Sequence, residues 1–318
     1  MGSITPPADH GTGKVWASLI TRMDYLPGLL TLDYSLKRAG TRYPLVALYT
    51  DNFPEKGLRA LSERGIPAQL VDRLDPPVKK DFVNDARFND TWTKLAAFGL
   101  TEYNRVVLLD SDMLVLRNMD ELMDIELDDD VGEDGGEEGS RVFAASHACV
   151  CNPLKRAHYP NDWVPENCAF TAQHDDPDSA QHRGSTPHAG VGMPNSGLLV
   201  LNPSQASYNA ILAGLASPKT LEYNFPDQEL LGDVFKGRWV GLPYVYNALK
   251  PMRWLGVHDA IWRDGRVKNV HYILSPKPWN MKGVDPHHPD QEPLRWWRTM
   301  NEERIRDEER VRVQVSRI

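Results

Sequence analysis

The run Val106-Val107-Leu108-Leu109-Asp110-Ser111-Asp112-Met113-Leu114-Val115-Leu116 sets two carboxylates one residue apart between two apolar stretches. Such a pair repels itself unless a proton or a divalent cation stands between the oxygens. Hard oxygen donors favour Mg²⁺ or Mn²⁺, ions that are often shared with a diphosphate. In extended backbone, residues i and i+2 face the same side, so Asp110 and Asp112 are expected to converge on one ion. An Asp-x-Asp also caps helices and closes turns, so the pair alone does not decide the chemistry.

Further segments carry polar groups where strands or helices begin and end. Asn195-Ser196-Gly197 stands at the entrance of an apolar strand, with an amide and a hydroxyl at the strand end. Asp227-Gln228 follows Pro226 and opens a helix, where a simple N-cap is the alternative reading. His271 ends another apolar strand that starts near Val267, and Lys277-Pro278-Trp279 follows in a loop. Cys149, Cys151 and Cys168, with His147, His158 and His174 nearby, offer zinc donors. Their spacing is not a standard Cys-x₂₋₄-Cys pattern, and cysteine is a common buried apolar residue, so the bland reading is preferred.

These groups need a scaffold. Val15 to Ile20, Pro44 to Thr50 and Ala68 to Val71 read as strands, and Val106 to Leu109 as one buried on both faces. Helices are expected up to about Lys37, over Lys56 to Arg64 before Gly65, and over Thr91 to Leu100. A strand over Ser196 to Leu201 and a helix from Ser204 to about Ala216 follow. The alternation predicts an α/β fold with a doubly wound, mostly parallel sheet, which binds ligands at the carboxyl ends of its strands. Residues 1–14 are expected to be a disordered tail, 15–290 one catalytic domain, and 291–318 a charged C-terminal helix. Within that helix Leu294, Trp297 and Met300 form an apolar patch able to dock. Residues 126–140 are too acidic to bury surface and are expected to form a mobile loop. Residues 151–194, rich in Pro, His and Asn, look irregular.

Composition narrows the classes. The 318 residues carry a net charge of −8, which argues against a nucleic-acid or anionic-membrane binder. No run of about 18 apolar residues exists to cross a membrane. The N-terminal residues lack a signal-peptide core, and Pro6 spoils a myristoylation pattern. Three cysteines do not make a disulfide scaffold. A cytoplasmic enzyme is expected.

Taken in order, several motifs resemble glycosyltransferase family 8, the group that holds glycogenin, bacterial galactosyltransferases and galactinol synthases. They are Leu19-Ile-Thr21 with Tyr25, Thr93-Lys94-Leu95, Asp110-Ser111-Asp112, Asn118-x-Asp120-x-Leu122, Asn195-Ser-Gly197, Asp227-Gln228, Leu242-Pro-Tyr-x-Tyr-Asn247, His271 and Lys277-Pro-Trp279. They span roughly residues 15–282. The resemblance implies a GT-A fold, a nucleotide-diphosphosugar transferase with a Rossmann-like sheet flanked by helices. It implies that Asp110, Asp112 and His271 hold Mn²⁺, with Mg²⁺ as the alternative, against the diphosphate of a UDP-sugar. Lys277 would meet the phosphates. Leu19, Thr21 and Tyr25 would cradle the uracil, and Ser111, Gly197 and Trp279 would border the donor. Lys94 and Arg87 would approach the sugar and its phosphate. Asn195, Ser196, Asp227 and Gln228 would face the transferred sugar. Members retain the anomeric configuration; Asp227 is the one motif carboxylate near the sugar, and both a nucleophilic role and front-face departure stay open.

Within the family, glycogenin glucosylates its own tyrosine seven residues after the motif Asn; here that position is Trp254, so self-glucosylation there is excluded. Local features instead resemble the galactinol synthases: Tyr43-Pro-Leu-Val46, Cys149-Val-Cys151, Trp254, Val267-Lys-Asn-Val-His-Tyr272 and Trp296-Trp297. Asn195-Ser-Gly197 replaces their Asn-Ala-Gly, and Leu274-Ser-Pro replaces Ala-Gly-Ser, which leaves donor and acceptor open. The resemblance implies a retaining transferase that moves galactose or glucose from UDP to a small polyol such as myo-inositol, in a chain that is often a homodimer. A glycogenin-like or protein glycosyltransferase, and a non-catalytic UDP-sugar-binding protein, are the alternatives.

Overall fold

The computed structural model describes residues 13–78, 80–82, 90–128, 140–281, 283 and 287–315. The strands are β1 (Lys14–Ile20), β2 (Leu45–Tyr49), β3 (Ala68–Leu70), β4 (Arg105–Leu109), β5 (Met113–Val115), β6 (Phe143–Ala145), β7 (Leu198–Leu201), β8 (Trp239–Gly241), β9 (Ala248–Leu249) and β10 (Asn269–His271). The helices are α1 (Leu26–Arg38), α2 (Glu55–Ser62), α3 (Gln205–Leu215), α4 (Pro226–Val234) and α5 (Gln291–Val315).

A seven-stranded sheet runs β3-β2-β1-β4-β7-β6-β8, and a second sheet runs β5-β10-β9. In the large sheet β3, β2, β1 and β4 are parallel, β7 is antiparallel to both its neighbours, and β6 and β8 run parallel to each other. The expected mostly parallel sheet is therefore present, with β7 as its reversed strand.

Alternation along β4 explains why its sequence is apolar from Val106 to Leu109. Val106 and Leu108 pack with α3, α4 and the segment around Trp92 to Phe98. Val107 and Leu109 pack on the opposite face with Leu32 and Leu36 of α1. A strand covered on both faces places polar side chains only at its ends: Arg105 at the start, bonded to Asn202 and the Ile125 carbonyl, and Asp110 just past the last residue.

Several local expectations are refined. Residues Thr91–Gly99 wind as a 3₁₀ helix, and Trp92 to Phe98 are all buried. Asp227 is not the N-cap of α4: it lies inside the first turn, and Glu229 instead accepts the amides of Asn224 and Phe225, at 2.6 and 2.5 Å. Ser204 does cap α3, accepting from the Ser207 amide at 3.1 Å. Residues 146–194 hold three short 3₁₀ turns and a single bridge, His147 to Pro194. Most of the acidic stretch, residues 129–139, lies outside the described residues, as do residues 1–12.

The long helix α5 folds back on α1. Thr31 donates to Asn301, Tyr34 donates to Asp307 at 2.6 Å, and Arg64 pairs with Glu308 at 2.7 Å. Leu294 and Trp297 are buried, and Met300 packs against the same core. Among the described residues no helix is long and apolar enough to cross a membrane.

Candidate active site and metal centre

The chain leaves one sheet for the other at the Asp-x-Asp. The Asp110 amide still donates to Gly197 of the large sheet at 2.8 Å, Ser111 and Asp112 form a turn, and Met113 opens β5. The carboxylates thus converge through a turn rather than through the extended backbone expected from their spacing. β10 lies beside β5, with His271 opposite Met113. The Tyr272 amide donates to the Asp112 carbonyl at 2.9 Å and fixes that register. As a result His271 Nε2 stands 3.3 Å from Asp112 Oδ1 and 3.7 Å from Asp110 Oδ2.

A relay of hydrogen bonds sets the tautomer of this imidazole. The Gly197 amide must be a donor, so the atom it meets at 3.1 Å is the carbonyl oxygen of Asn195. That same oxygen accepts from Asn247 Nδ2 at 2.9 Å, which turns the Asn247 carbonyl oxygen toward His271 Nδ1, also at 2.9 Å. Nδ1 therefore carries the hydrogen, and the lone pair of Nε2 faces two carboxylates. That arrangement repels unless a cation lies between them, and an N,O,O donor set on one ion is what Mn²⁺ or Mg²⁺ accepts. The residues fit the divalent ion that the motif implies: these ligand atoms lie within 4.8 Å of one another.

Two buried lysines flank the carboxylates. Lys94 Nζ is 2.7 Å from Asp110 Oδ1 and 3.4 Å from Asp227 Oδ2. Burial by itself would push the Lys94 ammonium down, but Asp110 and Asp227 outweigh it and hold it well above the usual lysine range. Lys277 pairs with Asp112 and donates to the Tyr272 carbonyl at 2.8 Å. Burial would raise Asp112, yet the Lys277 ammonium holds it far below the usual carboxylate range. Asp227 accepts from the Ser196 hydroxyl, and the Ser196 amide donates to Gln228 Oε1 at 3.3 Å.

These groups open on a cavity of about 600 Å³. Leu19, Thr21, Tyr25, Lys94, Asp110, Ser111, Asp112, Asn195, Ser196, Gly197, Asp227, Gln228, His271 and Lys277 all border it. Trp279 does not. Its ring instead meets Tyr25 edge-on at 5.5 Å and Trp297 of α5 at 5.8 Å, so it backs Tyr25 from behind. Arg87 lies outside the described residues. Asn195 has its carbonyl oxygen committed to the imidazole relay, which makes it a support for His271 as well as a cavity residue.

The sequence did not single out the far wall. Asn152, Arg156, His158, Tyr159 and Trp163 from the irregular segment line it, with Phe225. Trp163 stacks on Phe225 at 4.2 Å and Tyr159 stands edge-on to both. A cluster of aromatics and polar residues within the strandless segment 151–194 was the available signal. Trp254 is not on the cavity; its Nε1 donates to Asp290 at 2.6 Å, ahead of α5.

Residues 17–283 match the family model described as glycosyl transferase family 8. Galactinol synthase 2 of Arabidopsis thaliana is 26% identical over 318 aligned residues, which cover 95% of this chain and 86% of the relative. Galactinol synthase 1 of Solanum lycopersicum is 28% identical over 288, covering 88% and 79%. Among solved structures, the galactosyltransferase LgtC in complex with donor and acceptor sugar analogs aligns with a TM-score of 0.54 at 17% identity, over 91% of this chain and 95% of that one. GlyE of Streptococcus pneumoniae TIGR4 gives 0.55 at 16% identity, over 91% of this chain but 63% of its own length. At such identities the two structures speak for the fold alone.

Proposed function

Because the chain belongs to glycosyl transferase family 8 and is a GT-A-fold UDP-sugar glycosyltransferase, we propose that it is a retaining, Mn²⁺-dependent hexosyltransferase that moves galactose from UDP to a small cyclic polyol such as myo-inositol. The observation that carries the reading is the His271 lone pair aimed at Asp110 and Asp112 on the cavity floor, with Lys94 and Lys277 beside them. A divalent ion held there would neutralise the charge that collects on the departing diphosphate. The choice of galactose and of a polyol rests on the named relatives, which are galactinol synthases.

In this reading Lys277 steadies the diphosphate, and Tyr25, Leu19 and Thr21 receive the base. Asp227, Gln228 and Asn195 hold the hydroxyls of the sugar. The Asp227 carboxylate already accepts from Ser196 and lies beside Lys94. Donors on a carboxylate lower its nucleophilicity, so Asp227 is assigned to orienting the sugar rather than attacking it. The bond from the anomeric carbon to the phosphate oxygen then breaks, the acceptor oxygen bonds on the same face, and its proton passes to that phosphate oxygen. A reducing, cytosolic setting belongs to the proposal and suits the three free cysteines.

The test is UDP release from UDP-galactose in Mn²⁺, with and without myo-inositol, and with UDP-glucose in parallel. Release that requires both UDP-galactose and inositol, and that drops by at least about 10²-fold in Asp112→Ala, is the expected result. Undiminished transfer by Asp112→Ala would sink the metal assignment. Preference for UDP-glucose, or release indifferent to inositol, would overturn the donor or the acceptor.

A further inference from the structure

Beneath the far wall of the cavity lies a second donor cluster that the transfer reaction does not use. The Sγ atoms of Cys149, Cys151 and Cys168 stand 3.3, 3.2 and 3.3 Å from Nε2 of His258. All four donor atoms fall within 4.8 Å of one another. His258 is fully buried, Cys168 nearly so, and all three cysteines are free thiols.

Hydrogen bonding does not account for this arrangement. One ring nitrogen carries at most one hydrogen and can serve one sulfur, yet three sulfurs crowd it at nearly equal range. The other ring nitrogen is engaged: His258 Nδ1 meets His174 Nε2 at 2.9 Å. With the hydrogen on Nδ1, donated to His174, the Nε2 lone pair points into the three sulfurs. A tetrahedron with Zn–S near 2.3 Å and Zn–N near 2.05 Å has S···N edges of about 3.5 Å, close to the distances present. Three thiolates and one imidazole in a closed tetrahedral set select zinc over the hard cations suited to Asp110 and Asp112.

We propose that Cys149, Cys151, Cys168 and His258 bind one structural Zn²⁺, with His174 orienting the imidazole. The site is closed by four protein ligands, which leaves no open position for catalysis. Its location indicates its work. Residues 146–194 have almost no regular structure, and the cluster ties their two ends of turn, at 149–151 and at 168, to the loop that carries His258. Cys149 also borders the catalytic cavity, next to Asn152 and Arg156 on the far wall. Zinc would hold that wall in shape. The proposal is independent of which donor or acceptor the enzyme uses.

Elemental analysis of the purified full chain after dialysis against EDTA tests it. One equivalent of zinc is expected in the wild type and in Asp112→Asn, with loss of that equivalent in Cys168→Ser. Cobalt taken up in its place should give sulfur-to-metal charge transfer and intense tetrahedral visible bands, unchanged in Asp112→Asn. His174→Ala, which removes no ligand, should retain the metal but release it about 10- to 100-fold more readily to a competing chelator. The wild-type measurements stand even where Cys168→Ser does not fold. A metal-free wild type with three reactive thiols, a mass two hydrogens short from a disulfide, or zinc that leaves with Asp112 would each overturn the site.

Discussion

Gly197 has no side chain, yet the geometry of the metal centre depends on it. A methyl group there would lie 2.4 Å from Cε1 of His271 and 2.7 Å from its Nδ1, too close for either to remain in place. Its amide also starts the relay through Asn195 and Asn247 that fixes the imidazole tautomer. Asn247→Ala should therefore raise the Mn²⁺ concentration for half-maximal activity by about 10- to 100-fold, with a smaller change at saturating metal. Mn²⁺ activation curves, read beside the electron-spin-resonance signal of free Mn²⁺, measure this. An unchanged curve would remove Asn247 from the support of the metal. Ser196 is a second residue whose value is in its contact: its hydroxyl donates to Asp227.

At the scale of elements, two features of helix docking stand out. Ahead of α5, Asp290 accepts from Lys250 at 2.5 Å and from Trp254 at 2.6 Å, and Lys250 and Asp290 are both buried. Removing one partner strands the other charge, so Asp290→Ala should cost about 3–5 kcal/mol in urea unfolding. An unaltered midpoint would show that α5 is held by its apolar face alone. On α1, Asp33 is buried, its carboxylate paired with the exposed Lys37 at 2.7 Å and within the field of Glu308 of α5. Burial raises the Asp33 pKa from 3.8, opposed by Lys37 and helped by Glu308. The folded state then holds this proton more tightly than the unfolded one. The ionised form costs stability above the raised pKa, and the cost fades as pH falls toward 3.8. Asp33→Asn should be more stable than the wild type at pH 7, with the difference shrinking as pH approaches 4. Urea midpoints across that range decide it, and a difference independent of pH would contradict the burial argument.

For the whole molecule, the site is a junction. Asp110 follows β4 of the large sheet, Asp112 lies in the turn that leads into β5, His271 ends β10 of the small sheet, and Asp227 belongs to the start of α4. Ligands that bridge these parts should stabilise the fold by mass action. UDP with Mn²⁺ at about one hundred times the dissociation constant should add about 2.7 kcal/mol, seen as a higher thermal midpoint. Asp112→Asn should lose that gain. A midpoint that rises equally in the variant would place UDP somewhere other than this junction.

The sequence by itself determined five strands of the large sheet (β1 to β4 and β7) but not β6 and β8. It also determined the apolar run that delivers Asp110 to a strand end, and the family, because apolar runs and ordered motifs are local properties of the chain. It named Asp110, Asp112, His271 and Lys277 as one group, and the structure brings them together. It missed His258, which lies 90 residues beyond Cys168 in a segment with no motif of its own. It assigned Trp279 to the donor site, whereas the ring stands behind Tyr25. The tautomer of His271, the steric role of Gly197 and the partners of Trp254 were likewise decided only by the tertiary structure. Each depends on residues distant in the chain that the fold brings into contact, and a distance across the fold leaves no trace in spacing along the chain.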